Sequence, residues 1–266
     1  MSKMHENRRF MQCPTFKEGM KLSDQAKGVA PPPFGKDACA QRNGDSSTSE
    51  PTGKVGEVIE LPAFENVSAA KYVDLLDTRR SVRKYADTPM SGAQLAFMLW
   101  SVHGIQTTRE NVASFRPVPS GGARHPFETY VAVKNVDGLA SGLYLYLPTE
   151  NIGEKRVTIM RCGEISDYDA TITEALAGQA WAAGAPVVLF YTCVPYKAEW
   201  RYHEMSHRVM LIDLGHVGQN AMLSAAAIGM GSCCMAAYDQ AACDRLLNVD
   251  GLEEYCVYAV SVGSSL

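Results

Sequence analysis

The segment from about Glu204 to Ile228 sets the strongest limit on how this chain can fold. It reads as one long helix that starts charged and becomes almost wholly apolar and small-sided from Ala221 to Ala227. A helix that is apolar all round must be buried, so other elements have to pack around it. Gly229-Met230-Gly231 ends it. Upstream, Pro186 to Cys193 is a continuous apolar run, as in a strand covered on both faces. With 266 residues, the chain is long enough to build the core that both segments require.

Val58-Ile59-Glu60-Leu61-Pro62 predicts a short strand at the entry to the main domain. Ala69, Tyr72, Val73 and Leu76 recur at helical spacing and predict an amphipathic helix ending at Thr78. Ser91 and Gln94 form a capping box, with Met90 and Leu95 in hydrophobic-staple positions. The helix they start carries Leu95, Met98, Leu99 and Val102 on one face and stops near His103-Gly104. Strands are expected over Phe127 to Val133, Gly142 to Leu147 and Val157 to Met160, and a helix over residues 168–182. After the long helix come a strand (Ser232 to Ala237), a short helix near 240–247 and a last strand (Tyr255 to Val262). Several links are hairpin-like, so the expected class is α+β. Residues 1–57 are expected to form an N-terminal extension and polar linker, and residues 58–266 the folded domain. Pro31-Pro32-Pro33 favours an extended backbone. Residues 35–57 hold hardly an aliphatic side chain, which predicts a linker or surface-draped arm.

Composition narrows the class. Hydrophobic residues make up 46% and charged residues 20%, with a net charge of −4. That is a globular composition without the basic stripe of a nucleic-acid surface. Met1 to Gln12 is polar and offers no apolar run for a signal peptide, and no later apolar segment reaches bilayer length, so a cytoplasmic protein is expected. The eight cysteines show neither C-x-x-C nor paired Cys/His spacing. They are expected to be buried thiols. His203, His207 and Asp213 share one predicted helix, but no carboxylate in register completes a metal site, and no metal is expected.

Two stretches carry candidate chemistry. Arg79, Arg80, Ser81 and Arg83 gather guanidinium forks and a hydroxyl after a helix. They read either as a helix end that favours cations or as a grip for a phosphate, whose charge is about −1.5 to −2. The loop Pro119-Ser120-Gly121-Gly122-Ala123-Arg124-His125-Pro126 has two glycines that permit close backbone approach, either to a ligand or within a structural turn. Together they suit a ligand with a phosphate tail and a planar head. Other motifs fall away. Gly229-Met230-Gly231-Ser232 follows a helix instead of opening one, no G-x-x-x-x-G-K is present, and Ser120 lies outside any G-x-S-x-G elbow.

Taken in order, R-R-S-V-R, P-S-G-G-A-R-H-P, D-L-G-H-V-G-Q-N, G-M-G-S-C-C-M-A-A-Y-D and the final Val262-Gly263 resemble the FMN-dependent nitroreductase superfamily over roughly residues 58–263. Within it, Gly142-Leu143-Tyr144-Leu145-Tyr146 and Trp200-Arg201-Tyr202 are most similar to the branch containing azoline dehydrogenases of thiazole- and oxazole-forming pathways. The resemblance implies a mostly antiparallel sheet flanked by helices, in an intertwined homodimer with FMN at the interface and the long helix as its seam. Arg79, Ser81 and Arg83 would hold the phosphate and ribityl chain, with Arg80 near the pyrimidine edge. Pro119, Ser120, Gly121, Gly122 and Ala123 of the other subunit would line the isoalloxazine. Met235, Ala236 and Ala237 would bring backbone N–H groups to flavin N5 and O4. The implied activity is hydride transfer from a reduced donor, NAD(P)H, to a small-molecule acceptor in a ping-pong cycle, with Tyr202 as the candidate proton donor. The alternatives are a peptide-modifying azoline-type dehydrogenase with oxygen as acceptor, and a non-catalytic flavin-binding module.

Two departures bear on these expectations. Arg201-Tyr202 stands where azoline-oxidising members carry Lys-Tyr, and Arg cannot act as a base. Arg201 is therefore read equally as a surface ion-pair residue or a substrate ligand. The sequence ends at Leu266 without the basic tail of many nitroreductases, so Arg79 and Arg83, helped by Arg124 or the N-terminal arm, are expected to supply the charge for the phosphate.

Overall fold

The computed structural model describes residues 16–36 and 55–266. Expectations for Met1 to Gln12 and for most of the 35–57 linker lie outside the described residues. In chain order the elements are α1 (Phe16–Lys21), β1 (Val58–Glu60), α2 (Tyr72–Thr78), α3 (Gly92–His103), β2 (Thr107–Arg109) and β3 (Ala113–Phe115). They continue with β4 (Phe127–Val133), β5 (Gly142–Tyr146), β6 (Thr158–Gly163), α4 (Tyr168–Ala175), β7 (Val187–Cys193) and α5 (Tyr196–Tyr202). The last are α6 (Ser206–Ala227), β8 (Gly231–Met235), α7 (Gln240–Leu247) and β9 (Tyr255–Gly263).

Seven strands make one sheet in the order β1-β6-β5-β4-β7-β9-β8, every pair antiparallel. β2 and β3 form a separate hairpin. The apolar run at β7 takes a central place, where every residue is buried. Strand alternation sends Val187, Leu189 and Tyr191 into one core layer and Val188 and Phe190 into the other. The first layer is covered by Leu95, Met98, Leu99 and Val102 of α3 and by Met210, Val217, Ala221 and Ala225 of α6. The second is covered by Ile172 and Ala175 of α4 and by Cys243 and Leu247 of α7. The α+β expectation thus holds, as a sheet between two helical layers. The capping box also forms as expected, with Ser91 Oγ accepting from Gln94 N (3.2 Å) and Gln94 Oε1 from Ser91 N (2.9 Å).

Several boundaries differ for local reasons. The 168–182 helix stops at Ala175 because Ala177 (φ 52°) and Gly178 (φ 84°) turn left-handed. The long helix begins at Ser206, because His203 (φ 50°) ends the unforeseen helix α5 just before it. In the single chain α6 is buried along one side only. Gly218 rests on Tyr258, where a Cβ would approach to 2.6 Å, while Leu211 and Ile212 remain 55% and 51% exposed. The helix α2 rests against α6, yet Tyr72, Val73 and Leu76 of its apolar stripe remain exposed.

Residues 24–36 lie along the folded domain. Trp200 Nε1 donates to Val29 O (2.8 Å), Arg116 Nη2 to Phe34 O (2.9 Å) and Lys197 Nζ to Phe34 O (3.3 Å). Lys36 Nζ meets both Glu254 Oε2 and Tyr130 OH at 2.6 Å. The cysteines among the described residues are free thiols. No helix among the described residues is long and apolar enough to cross a membrane.

Candidate functional site

The arginine segment is fastened to the sheet by its backbone. Ser81 bridges Ser232 of β8 in parallel, and Val82 N donates to Ser232 O (2.9 Å). Tyr85 OH donates to Val82 O (2.8 Å) and lies 2.7 Å from Ser261 Oγ. Gly231 allows this approach, since a Cβ there would lie 2.6 Å from Val82 Cγ2. The strap leaves the guanidinium groups outward. Arg79 and Arg80 line a cavity of about 310 Å³ with Met222, Gly231 and Ser232. Arg83 stacks on Trp181, 5.7 Å from the ring centre. Among the described residues, none of these arginines pairs with a carboxylate. Among the described residues this cavity, with Ser232 on its wall, has cations and no counter-charge, a setting whose chemistry suits an anion.

The 179–181 turn connects this site to the end of β8. Gln179 Nε2 donates to Ala237 O (2.7 Å), close to the Trp181 that carries Arg83. Met235 pairs with Ala259 and buries its side chain in the second core layer. Ala236 and Ala237 are exposed, and their N–H groups meet no protein acceptor among the described residues.

The glycine loop has a different anchor. Asp213 of α6 accepts Ser120 Oγ–H through Oδ2 (2.6 Å) and Gly121 N–H through both oxygens (3.0 Å each). Burial raises the Asp213 pKa, while the Ser120 and Gly121 hydrogen bonds oppose the rise. Gly122 (φ 59°), Ala123 (φ 54°) and His125 (φ 45°) bend the loop through left-handed backbone. Its glycines are required by the chain itself. A Cβ on Gly121 would lie 2.3 Å from Val209 Cγ1, and one on Gly122 would lie 2.4 Å from Arg201 Cδ and 2.8 Å from Tyr202 OH. Tyr202 therefore packs directly on the loop. Pro119, Ser120, Gly122 and Ala123 line a second cavity of about 520 Å³, together with Arg109, Arg116 and Arg201.

In the single chain the arginine strap and the glycine loop stay apart. Arg79 touches Met222 Sδ (4.0 Å) while the glycine loop is tied to Asp213, and those α6 positions are about 13 Å apart along the helix axis. The two cavities have no lining residue in common.

Arg124 is not available to either half. It is buried, donates Nε–H to Lys197 O (2.8 Å) and stacks 4.6 Å from the Trp200 ring centre. Burial lowers its pKa to about 10. His207 Nε2 lies 3.5 Å from Glu199 Oε1, and among the described residues no group of His, Cys, Asp or Glu side chains could hold a metal. Sequence reasoning weighed Asp213 only as a metal ligand and missed its hold on the loop. The available signal was a lone carboxylate on the apolar side of α6. Arg109, Arg116 and Trp181 left no such signal, because only the fold brings them to the cavities.

Comparison with known proteins places the chain in a family. A protein of Methanocaldococcus jannaschii that carries the nitroreductase name is 31% identical over 210 residues, covering 78% of this chain and 96% of its own. The microcin B17-processing protein McbC of Escherichia coli is 29% identical over 140 residues, 51% of this chain and 49% of McbC. Among solved structures, the Escherichia coli microcin synthetase McbBCD complex with truncated pro-MccB17 superposes on the whole chain with a TM-score of 0.58. At 18% identity, and with 98% of that chain covered, this likeness speaks for the fold. The nitroreductase family itself matches residues 76–264, which include the arginine strap, the glycine loop, α6 and β8, and the chain belongs to that family.

Proposed function

We propose that the chain is an FMN-dependent oxidoreductase that works as a homodimer with FMN at the subunit interface. The observation that carries this reading is the set of arginines without a carboxylate partner among the described residues, Arg79 and Arg80 lining one cavity and Arg83 on the Trp181 ring of the same strap. An FMN phosphate, with a charge of about −2, is the counter-charge they lack. Arg79, Ser81 and Arg83 hold the phosphate and ribityl chain, and Arg80 stands at the pyrimidine edge. Pro119, Ser120, Gly121, Gly122 and Ala123 of the second copy line the isoalloxazine. Met235 fixes the end of β8, so that the open N–H groups of Ala236 and Ala237 face the ring. A donor at that position favours the reduced, electron-rich ring. When bound, FMN would supply two-electron redox chemistry, in a ping-pong exchange between NAD(P)H and a small-molecule acceptor. Tyr202, packed on Gly122, is the candidate proton donor to that acceptor.

The visible spectrum of the purified protein tests the assignment. Wild type should show flavin absorption that bleaches on anaerobic addition of NADH or NADPH. Arg79→Ala/Arg83→Ala should lose the colour at least tenfold in occupancy, since each charge-assisted hydrogen bond is worth roughly 1.5–3 kcal/mol. Stoichiometric FMN in that variant refutes the phosphate assignment.

The likeness to McbC favours a second reading, a peptide-modifying dehydrogenase in which the substrate reduces FMN and oxygen reoxidises it. Against it, Arg201 stands where that branch uses Lys, and its Nη1 is held by Gln25 Oε1 at 2.9 Å. An Arg cannot take up a proton from a substrate. A flavin-loaded protein inert to both nicotinamides selects this second reading.

A further inference from the structure

The cavity beside the glycine loop has a one-sided charge. Arg109, Arg116 and Arg201 line it, and among the described residues no Asp or Glu does. His125 also lines it but stays neutral, because burial drives its pKa down to about 2. Arg116 is buried and donates to three neutral acceptors, Ser114 Oγ (3.4 Å), His103 O (3.4 Å) and Phe34 O (2.9 Å). Burial lowers its pKa to about 10, which leaves it cationic at neutral pH. Arg201 gives Nη1–H to Gln25, while its Nε–H is buried with no acceptor among the described residues. Arg109 sits on the β2–β3 hairpin, exposed and without an ion pair among the described residues. The remaining walls include Phe115 and Pro117, flat apolar surfaces that suit a planar body.

A buried cation whose hydrogen-bond partners are neutral carries a desolvation cost, eased for Arg116 by the charge of Glu128, that an anion in contact would offset further. Arg201, whose buried Nε–H has no acceptor among the described residues, supplies the directed donor, and the exposed Arg109 on the β2–β3 hairpin adds a third positive charge. We propose that this cavity is the acceptor site and that it selects a small planar acceptor bearing a carboxylate or a phosphate monoester. The anion takes N–H bonds from Arg201 and Arg109, and Arg116 supplies the buried positive charge behind them. The inference rests on the oxidoreductase reading, which requires a reducible molecule beside the glycine loop.

The test uses the flavin-loaded protein and the probes 4-nitrobenzoate, 4-nitrobenzyl phosphate and neutral 4-nitrobenzamide. Binding is measured by titration calorimetry, and NADH- and NADPH-driven turnover is followed in parallel. One of the two anions should bind roughly tenfold or more tightly than the amide. Which anion binds more tightly identifies the group. The preference should fall below about threefold in Arg109→Gln/Arg201→Gln and survive in part in Arg201→Lys. Arg109→Gln alone changes an exposed side chain and carries the test if the double variant misfolds; it should lower the preference about threefold. Equal binding of amide and anions in wild type, or an unchanged preference in Arg109→Gln and in the folded double variant, overturns the proposal. Selective anion binding without turnover by either nicotinamide leaves the site standing and removes the nicotinamide-driven reading in favour of the peptide-modifying one. Turnover without selectivity does the reverse.

Discussion

Asp213 shows how one side chain places a whole loop. Its carboxylate is buried, and its acceptor capacity goes to Ser120 Oγ–H and Gly121 N–H. An amide at this position keeps the shape but turns an NH2 group toward one of those donors. Asp213→Asn should therefore destabilise the protein by about 1–3 kcal/mol, the cost of a buried donor left unpaired. It should also release the loop, so that acceptor KM rises more than flavin occupancy falls. Urea melts and steady-state kinetics check the two effects, and an unchanged KM would show that the loop holds its place without this carboxylate. At this scale the sequence was informative where local geometry forces an identity. The arginine strap and the glycine pair were both visible as unusual residue clusters. What the glycines face was not visible, because Val209, Arg201 and Tyr202 reach them only through the packing of α5 and α6.

The elements repeat that division. The α3 capping box and the continuous apolar run of β7 were legible because each is a contiguous pattern with one physical solution. The break at His203 was not, since a left-handed histidine carries no signature in sequence. The docking of residues 24–36 was equally hidden, because Arg116, Lys197 and Trp200 are scattered along the chain and meet only around this arm. Beneath it, the Lys197–Glu128 ion pair is buried beside two histidines that cannot take up charge. His103 shares a 2.7 Å hydrogen bond with Thr129 Oγ1, and its pKa is pushed well below the usual value by burial and then by Arg116. His125 is lowered to about 2 by burial, again reinforced by Arg116, with a Ser114 backbone hydrogen bond opposing. Both pKa values fall on folding, so below about 6.5 the unfolded chain binds protons that the native state refuses. The stabilising contribution is present above that pH and is lost as pH falls. At pH 5 each histidine should cost about 2 kcal/mol. The urea midpoint should therefore drop between pH 7.5 and 5.0, and His103→Gln should remove about half of the drop. Equal midpoints at the two pH values would contradict the buried neutral state of both rings.

At the scale of the whole molecule, the open side of α6 and the divided site pose one problem with one proposed solution. Leu211 and Ile212 are half-exposed on the helix that runs between the glycine loop and the arginine cavity, and Tyr72, Val73 and Leu76 of α2 are exposed as well. The sequence marked α6 as a helix to be buried, yet a single copy buries only one side of it. In the proposed homodimer a second copy covers the other side and crosses α6, so that the glycine loop of one protomer meets the arginine strap of its partner across the roughly 13 Å that separates them in one chain. Leu211→Lys/Ile212→Glu should then separate the protomers without unfolding them, because both side chains already face outward in the single chain. Burying the exposed half of four such side chains is worth about 1 kcal/mol each, so the dimer should weaken by ~4 kcal/mol, about a thousandfold in Kd. Sedimentation at micromolar concentration should find monomers with native circular dichroism, and their flavin should be lost with the interface. A dimer in that variant would move the seam elsewhere. A folded monomer that kept one FMN per chain would show that a single protomer completes the site, and the arginine strap would then have to bind the cofactor without the partner's loop.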